Sequence, residues 1–320
     1  MKSLRMLAAL AAGLAFASHA LAQAYPNKPI RIIVAYQAGQ GTDVVGRYVG
    51  EKLSQALGQA VIIDNKPGAG ANIGTEAAAR SAADGYTLTM GTNATHGTNQ
   101  FLYDKLAFDA EKDFEPIVLV GTFPMGIAAN PGFAGNSIAD ILAIAKSTPK
   151  GADMAMPSTT ARIVYELLKA QSRAPLFGIP YKGSATAISE TMGGQVPLVI
   201  DTVTALRPHV ASGKLKAIAV TSAKPTELLP GVKPVAEQGL PGFEVIAWNA
   251  LYAPKGTPKE VVDRLNAEVN KILAQPETRQ KLKDLGFDVG GGTPTQLAEF
   301  GIAERAKWGP LIKTAGMKAE

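Results

Sequence analysis

Five stretches of small polar residues are where this 320-residue chain could do chemistry. The first is Gln37-Ala38-Gly39-Gln40-Gly41-Thr42-Asp43, directly behind an apolar run that ends at Tyr36. Its glycines let the backbone approach a small molecule and adopt φ > 0, and Thr42 or Asp43 can cap a helix. The same residues also suit a tight turn with an ordinary cap. Gly39-Gln40-Gly41 lacks a third glycine at nucleotide spacing and no Lys-Ser/Thr pair follows, so this is not a nucleotide loop. The second stretch, Gly91 to His96, places Thr92, Asn93, Ala94, Thr95 and His96 just past another apolar run. His96 has too few companions for a metal site, and neither a Gly-x-Ser-x-Gly elbow nor a cysteine offers a nucleophile. It reads as a hydrogen-bonding or structural histidine.

The third stretch, Pro157-Ser158-Thr159-Thr160-Ala161-Arg162, opens a helical pattern with good capping residues. A cation in a first helical turn opposes the helix dipole. Arg162 is therefore either solvated or turned to a cleft, where a guanidinium can grip a carboxylate with two parallel hydrogen bonds. The fourth and fifth are Tyr181-Lys182-Gly183-Ser184 and Asp201-Thr202-Val203-Thr204. Asp201 can be a plain cap and Lys182 a solvated side chain.

Apolar runs alternating with helical patterns must position these junctions, and that alternation is the mark of an α/β fold. Ile30–Tyr36, Val61–Asp64 and Tyr86–Met90 read as strands, and a helix lies between the first two, stopped by Gly58. Ile117–Val120 and Met125–Ala129 read as two further runs. Helices are expected over Ile138–Ser147, Arg162–Gln171, Ala185–Met192, Lys259–Ala274 and Thr295–Thr314, and strands over Val196–Asp201, Leu215–Thr221 and Glu244–Ala253. In open α/β sheets ligands sit beyond the carboxyl ends of strands, where helix starts offer free N–H groups to anions. A chain crossing near residues 121–127 and returning along Glu244–Ala253 predicts two lobes, 25–124 plus 249–320 and 125–248, with a cleft between them.

Residues 1–24 read as a secretory signal: Lys2 and Arg5, the apolar Leu7–Phe16, and small-residue cleavage sites near Ala22 or Ala24. The expected compartment is the periplasm. The chain carries 32 Lys and Arg against 27 Asp and Glu; removing Lys2 and Arg5 with the signal leaves 30 against 27, a net +3. That balance, without a basic run, speaks against nucleic acid as a partner. There is no cysteine, so disulfides and thiolate chemistry are excluded.

Together these residues resemble the substrate-binding proteins of tripartite tricarboxylate transporters, the Bug family. The resemblance rests on Tyr25-Pro26-x-Lys28-Pro29-Ile30, the Gly-x-Gly-Thr-Asp ending at Asp43, Asn65 to Gly74, Asp84-Gly85-Tyr86-Thr87-Leu88 and Gly91-Thr92-Asn93. Tyr181-Lys182-Gly183-Ser184, Gly194-Gln195-Val196, Ala219-Val220-Thr221 and Ala253-Pro254-x-Gly256-Thr257-Pro258 complete it. It implies a two-lobed periplasmic binding protein of type II, monomeric, without cofactor, metal or catalysis, that closes on a small organic carboxylate and serves the membrane subunits of such a transporter. An enzyme on the same scaffold and a sensor for a membrane kinase are the alternatives. Carried onto this chain, the ligand contacts fall on Tyr36, Gln37, Gly39, Gln40, Gly41, Thr42 and Asp43, on Thr92, Asn93, Ala94, Thr95 and His96, and on Ser158, Thr159, Thr160, Arg162, Tyr181, Asp201 and Thr202. Two departures stand out: Gln37 and Gln40 where the family has proline and glycine, and Met154-Ala155-Met156 with Arg162 where it has small residues and often a histidine. They suggest a carboxylate with an apolar or aromatic body, or a dicarboxylate.

Overall fold

The computed structural model describes residues 25–148, 150–314 and 316–318. The expected signal sequence and its cleavage sites lie outside the described residues. Among the described residues, no helix is long and apolar enough to cross a membrane.

Strands β1 (Ile30–Val34), β2 (Val61–Asn65) and β3 (Thr87–Thr92) run parallel, with β1 in the middle. Ile30, Ile32, Ile33 and Val34 of β1 are fully buried, as its apolar run requires. Helix α1 (Gly41–Leu57) packs on this group through Val45, Val49 and Leu53. It ends where Gly58 takes the left-handed φ of 67°. Helix α2 (Asn72–Ala79) and the short α3 (Asn99–Leu102) complete the N-terminal region.

The sequence predicts two runs where the structure has one strand, β4 (Phe114–Ala129), 16 residues long. Pro116, Gly121 and Pro124 look like breaks in sequence, but register shifts beside Pro116 and before Gly121 absorb the first two as irregularities within a continuous ladder, and Pro124 pairs in register with Ile246. Gly121 is needed for close approach: a Cβ there would lie 2.7 Å from the carbonyl oxygen of Asp288 on the neighbouring strand. β4 is the spine of the molecule. Pairing runs from Phe114 to Pro124 with β9 (Ile246–Pro254) and from Met125 to Ala129 with β7 (Leu198–Thr202). β8 (Lys216–Val220) and β10 (Asp288–Gly291) also pair with β4. The full order is β2-β1-β3-β9-β4-β7-β5-β6, where β5 (Met154–Met156) and β6 (Gly178–Pro180) are three-residue strands.

Around Met125–Ala129 gather α4 (Ile138–Ser147), α5 (Thr159–Ser172), α6 (Ser184–Met192) and α7 (Val203–Ala211). The chain then returns along β9 to α8 (Lys259–Ala274), α9 (Pro276–Asp284) and α10 (Pro294–Thr314). The result is the expected mixed α/β architecture. One core cluster runs through it, from Ile30 and Val49 to Leu168 and Ile200.

Candidate functional site

All five junctions meet where β1, β3, β5, β6 and β7 end and α1, α5, α6 and α7 begin. Two adjoining cavities lie there, sharing Tyr36, Gln40 and Ser158 in their walls. The outer one is about 590 Å³ and is lined by Gln37, Thr159, Arg162, Tyr181 and Lys182, by the turn Pro67–Ala71, and by Tyr103, Met156, Pro157 and Pro180. The inner chamber is about 30 Å³ and is lined by Gly41, Thr42, Thr92, Asn93, Thr160, Asp201 and Thr202, with Phe123, Met125, Ala247 and Trp248 as its apolar side. That volume holds roughly two water-sized atoms, the size of the two oxygens of a carboxylate.

Local sequence explains the shape. Gly39 takes φ +86° with nothing within 4 Å of an added Cβ, so conformation rather than space selects glycine. It turns the chain so that Gln40 precedes the first residue of α1. Thr92 starts the next turn through a reciprocal cap: its amide donates to Thr95 Oγ1 at 3.0 Å, and the Thr95 amide donates to Thr92 Oγ1 at 3.3 Å. Ser158 Oγ accepts from the Ala161 amide at 3.2 Å and Thr202 Oγ1 from the Ala205 amide at 3.2 Å. The N-termini of α1, α5 and α7 therefore converge on the inner chamber, and their aligned peptide dipoles favour negative charge there.

Side chains from the two ends of the sheet meet across these cavities. Gln40 Nε2 donates to Ser184 Oγ at 2.9 Å, and Thr160 Oγ1 donates to Asn93 Oδ1 at 3.1 Å. A Cβ on Gly183 would fall 1.9 Å from Gln37 Oε1 and one on Gly41 3.2 Å from Thr202 Oγ1, so glycine at both positions permits this approach. Gln37 and Gln40, the residues that depart from the family pattern, thus both reach the far side.

Two buried polar atoms of the inner chamber have no protein partner among the described residues: Asn93 Nδ2 and Asp201 Oδ2. Asp201 Oδ1 accepts from the Thr202 amide at 2.7 Å. Burial raises the Asp201 pKa to about 6, partly offset by hydrogen bonds from Ser184 and Thr202. In the outer cavity Arg162 keeps 27% of its side-chain surface exposed, with only a long 3.9 Å approach of its Nε to Glu166. The Tyr181 hydroxyl donates to Glu190 Oε2.

Gly39, Asp43, Ala94, Thr95 and His96 are not part of either lining. Asp43 turns back into the fold, where its carboxylate accepts from the Gly39 amide at 2.8 Å, Asn65 Nδ2 at 2.8 Å and Arg47 Nε at 3.0 Å. Burial alone would raise its pKa, but Arg47 and these donors together hold it below the usual carboxylate value. His96 lies flat on Tyr252, ring centroids 4.1 Å apart, and its Nδ1 contacts Thr95 Oγ1 at 2.9 Å. Burial, with Arg305 nearby, lowers its pKa to about 3, so it is a neutral core residue. Ala94 is fully buried in the same turn.

Sequence reasoning missed several wall residues. Pro67–Ala71 was legible as a turn but carried no sign that it faces the others. Tyr103, Phe123, Ala247 and Trp248 come from elements with no polar signature. Met156 was visible as part of an unusual methionine pair.

Residues 45–317 match the family described as tripartite tricarboxylate transporter family receptor. The chain is 33% identical to Protein BugT of Bordetella pertussis over 300 residues, covering 93% of this chain and 92% of that one. The structure superposes on that of R. palustris Rpa4515 with adipate at a TM-score of 0.89 and 32% identity, covering 92% of this chain and 99% of the other. It also superposes on MatC from Rhodopseudomonas palustris with bound malate, at a TM-score of 0.84 and 31% identity, covering 90% and 100%.

Proposed function

Because this chain belongs to the tripartite tricarboxylate transporter receptor family, the Bug proteins among them, we propose that it binds a small organic carboxylate with its head in the inner chamber and its body in the outer cavity. It is a solute-binding receptor, not an enzyme. The observation that carries the ligand reading is Asn93 Nδ2, a buried donor without a partner in a chamber ringed by three helix N-termini. An unsatisfied buried donor is costly, and a carboxylate oxygen satisfies it. Met156, Pro157, Pro180 and Tyr103 give the outer cavity apolar surface for a chain or ring. Arg162 and Lys182 stand at its wall for a second anionic group. Adipate and malate in two related structures support a carboxylate, and adipate has the apolar chain that this cavity suits.

In this reading the exported protein works in the periplasm and delivers its ligand to membrane subunits of a tripartite transporter. Residues 25–124 with 249–320 form one lobe and 125–248 the other, closing over the ligand through contacts such as Gln40–Ser184 that only the closed form makes. A thermal-shift screen of straight-chain dicarboxylates, aromatic acids, citrate and short amino acids tests it. A true ligand at about 100 times its Kd adds about 2.7 kcal/mol. Stabilisation by longer dicarboxylates or aromatic acids is expected. Stabilisation by citrate and short amino acids alone would contradict the ligand reading.

A further inference from the structure

Asp201 is an odd neighbour for a ligand carboxylate. Its side chain is 1% exposed, and Oδ2 has no protein partner among the described residues. It lines the same 30 Å³ chamber as the free amide nitrogen of Asn93. The other groups facing it are neutral: Gln40 and Thr42 at the start of α1, Thr92 and Asn93 after β3, Phe123 and Met125 of β4, and Ala247 and Trp248 of β9. Ser158 and Thr160 face it from α5, Ser184 from α6 and Thr202 from the start of α7. Tyr36 is the one other titratable residue of that lining, and its pKa is pushed up to about 12, chiefly by burial. Arg162 and Lys182 line the outer cavity instead. No cation in the lining therefore offsets two carboxylates side by side.

A ligand ammonium would answer Asp201 directly, but the converging helix N-termini and the open Asn93 donor disfavour a cation in that chamber. A carboxyl group with one proton satisfies every free atom. One ligand oxygen accepts from Asn93 Nδ2, and a hydrogen between the other and Asp201 Oδ2 pairs the two acids. Two carboxyl groups sharing a site keep one proton between them because both cannot be ionised together.

We infer that the inner chamber takes a ligand carboxylate together with one proton, drawn from solvent and held between the ligand and Asp201. This rests on the receptor reading above, which it sharpens by making Asp201 the residue that couples capture to pH. Asp201, at a strand end that reads as an ordinary cap, thereby selects carboxylates over amines.

Calorimetric titration with adipate, run in phosphate and in Tris at pH 7.5, reads the proton directly, since simple carboxylates are already ionised there. Wild-type protein should take up close to one proton per adipate, and its affinity should fall by about tenfold per pH unit above pH 7 until the bound pair itself ionises. Asp201→Asn should bind with no uptake and a flat pH profile. Ser184→Ala, which keeps the acid but removes a hydrogen bond to its ionised form, should bind with a smaller uptake at pH 7. It also serves if the asparagine variant does not fold. Adipate binding without proton uptake at any pH, or aspartate binding more tightly than succinate, would overturn the inference and leave the receptor reading standing. If neither a C4 to C10 dicarboxylate nor an aromatic acid binds, both fall.

Discussion

Asp43 and Asp201 occupy the same kind of place, a strand-to-helix junction of small polar residues, and are 2% and 1% exposed. The fold treats them oppositely. Around Asp43 an amide, an asparagine and an arginine are all turned inward, and both carboxylate oxygens are satisfied. Around Asp201 only the Thr202 amide, at Oδ1, and the Ser184 hydroxyl lower the cost of the charge, and Oδ2 faces a chamber beside another atom unpartnered among the described residues. The first region is finished without a ligand and the second is not. Partners, rather than residue type or position, separate an acid that holds a loop from one proposed to meet a ligand.

The largest expected effect lies outside the chamber, at His96. His96 ionises normally near 6.5 when unfolded and near 3 when folded. The unfolded chain thus binds more protons between those values, so His96 contributes stability above pH 6.5 that is lost as pH falls towards 3. The loss amounts to about 5 kcal/mol. Urea unfolding of wild type and His96→Asn across that window should show a steeper loss of stability in wild type than in the variant; equal slopes would place His96 in a wetter site than the structure does. Asp43→Asn should cost about 3 kcal/mol in the same assay by breaking charge-assisted hydrogen bonds, and an unchanged midpoint would erase the contrast. Asp201 has the reverse sign. Its folded pKa is raised from 3.8 to about 6, so the stability present below pH 3.8 is lost as pH rises through 6. Asp201→Asn should therefore stabilise the ligand-free protein at pH 8, by up to about 3 kcal/mol, and little at pH 4. Destabilisation at pH 8 would show that Oδ2 is satisfied after all. The smallest effect is expected at Arg162, which is partly solvated. Arg162→Ala should weaken a dicarboxylate about tenfold, or about 1.4 kcal/mol, and a monocarboxylate much less; equal losses would move the arginine to the ligand head.

That contrast also marks how far the sequence could be read. The α/β alternation, the helices Ile138–Ser147 and Lys259–Ala274 and the family stand in the apolar runs, caps and motifs. The polar residues that line the inner chamber are all at junctions visible as strand ends followed by capping residues. The continuity of β4 was not legible, because Pro116, Gly121 and Pro124 are local breakers whose accommodation depends on β9 and β10 alongside. β5 and β6, at three residues each, are too short to show a period. α9 was missed because it is polar apart from Leu282, and its second buried residue is Thr278. Nor could spacing show that Asn93 Nδ2 lacks a partner or that Asn65 completes the Asp43 set begun by its neighbours Gly39 and Arg47, since the contacts of Asn93 with Thr160 and of Asp43 with Asn65 span 67 and 22 positions.

A crystal structure of this protein with adipate bound tests most directly where the ligand head sits. One carboxylate should lie within about 3 Å of Asn93 Nδ2, with Asp201 on its other side and the chain running along Met156 towards Arg162. A carboxylate held only by Arg162 and Lys182, with the inner chamber left to water, would contradict it.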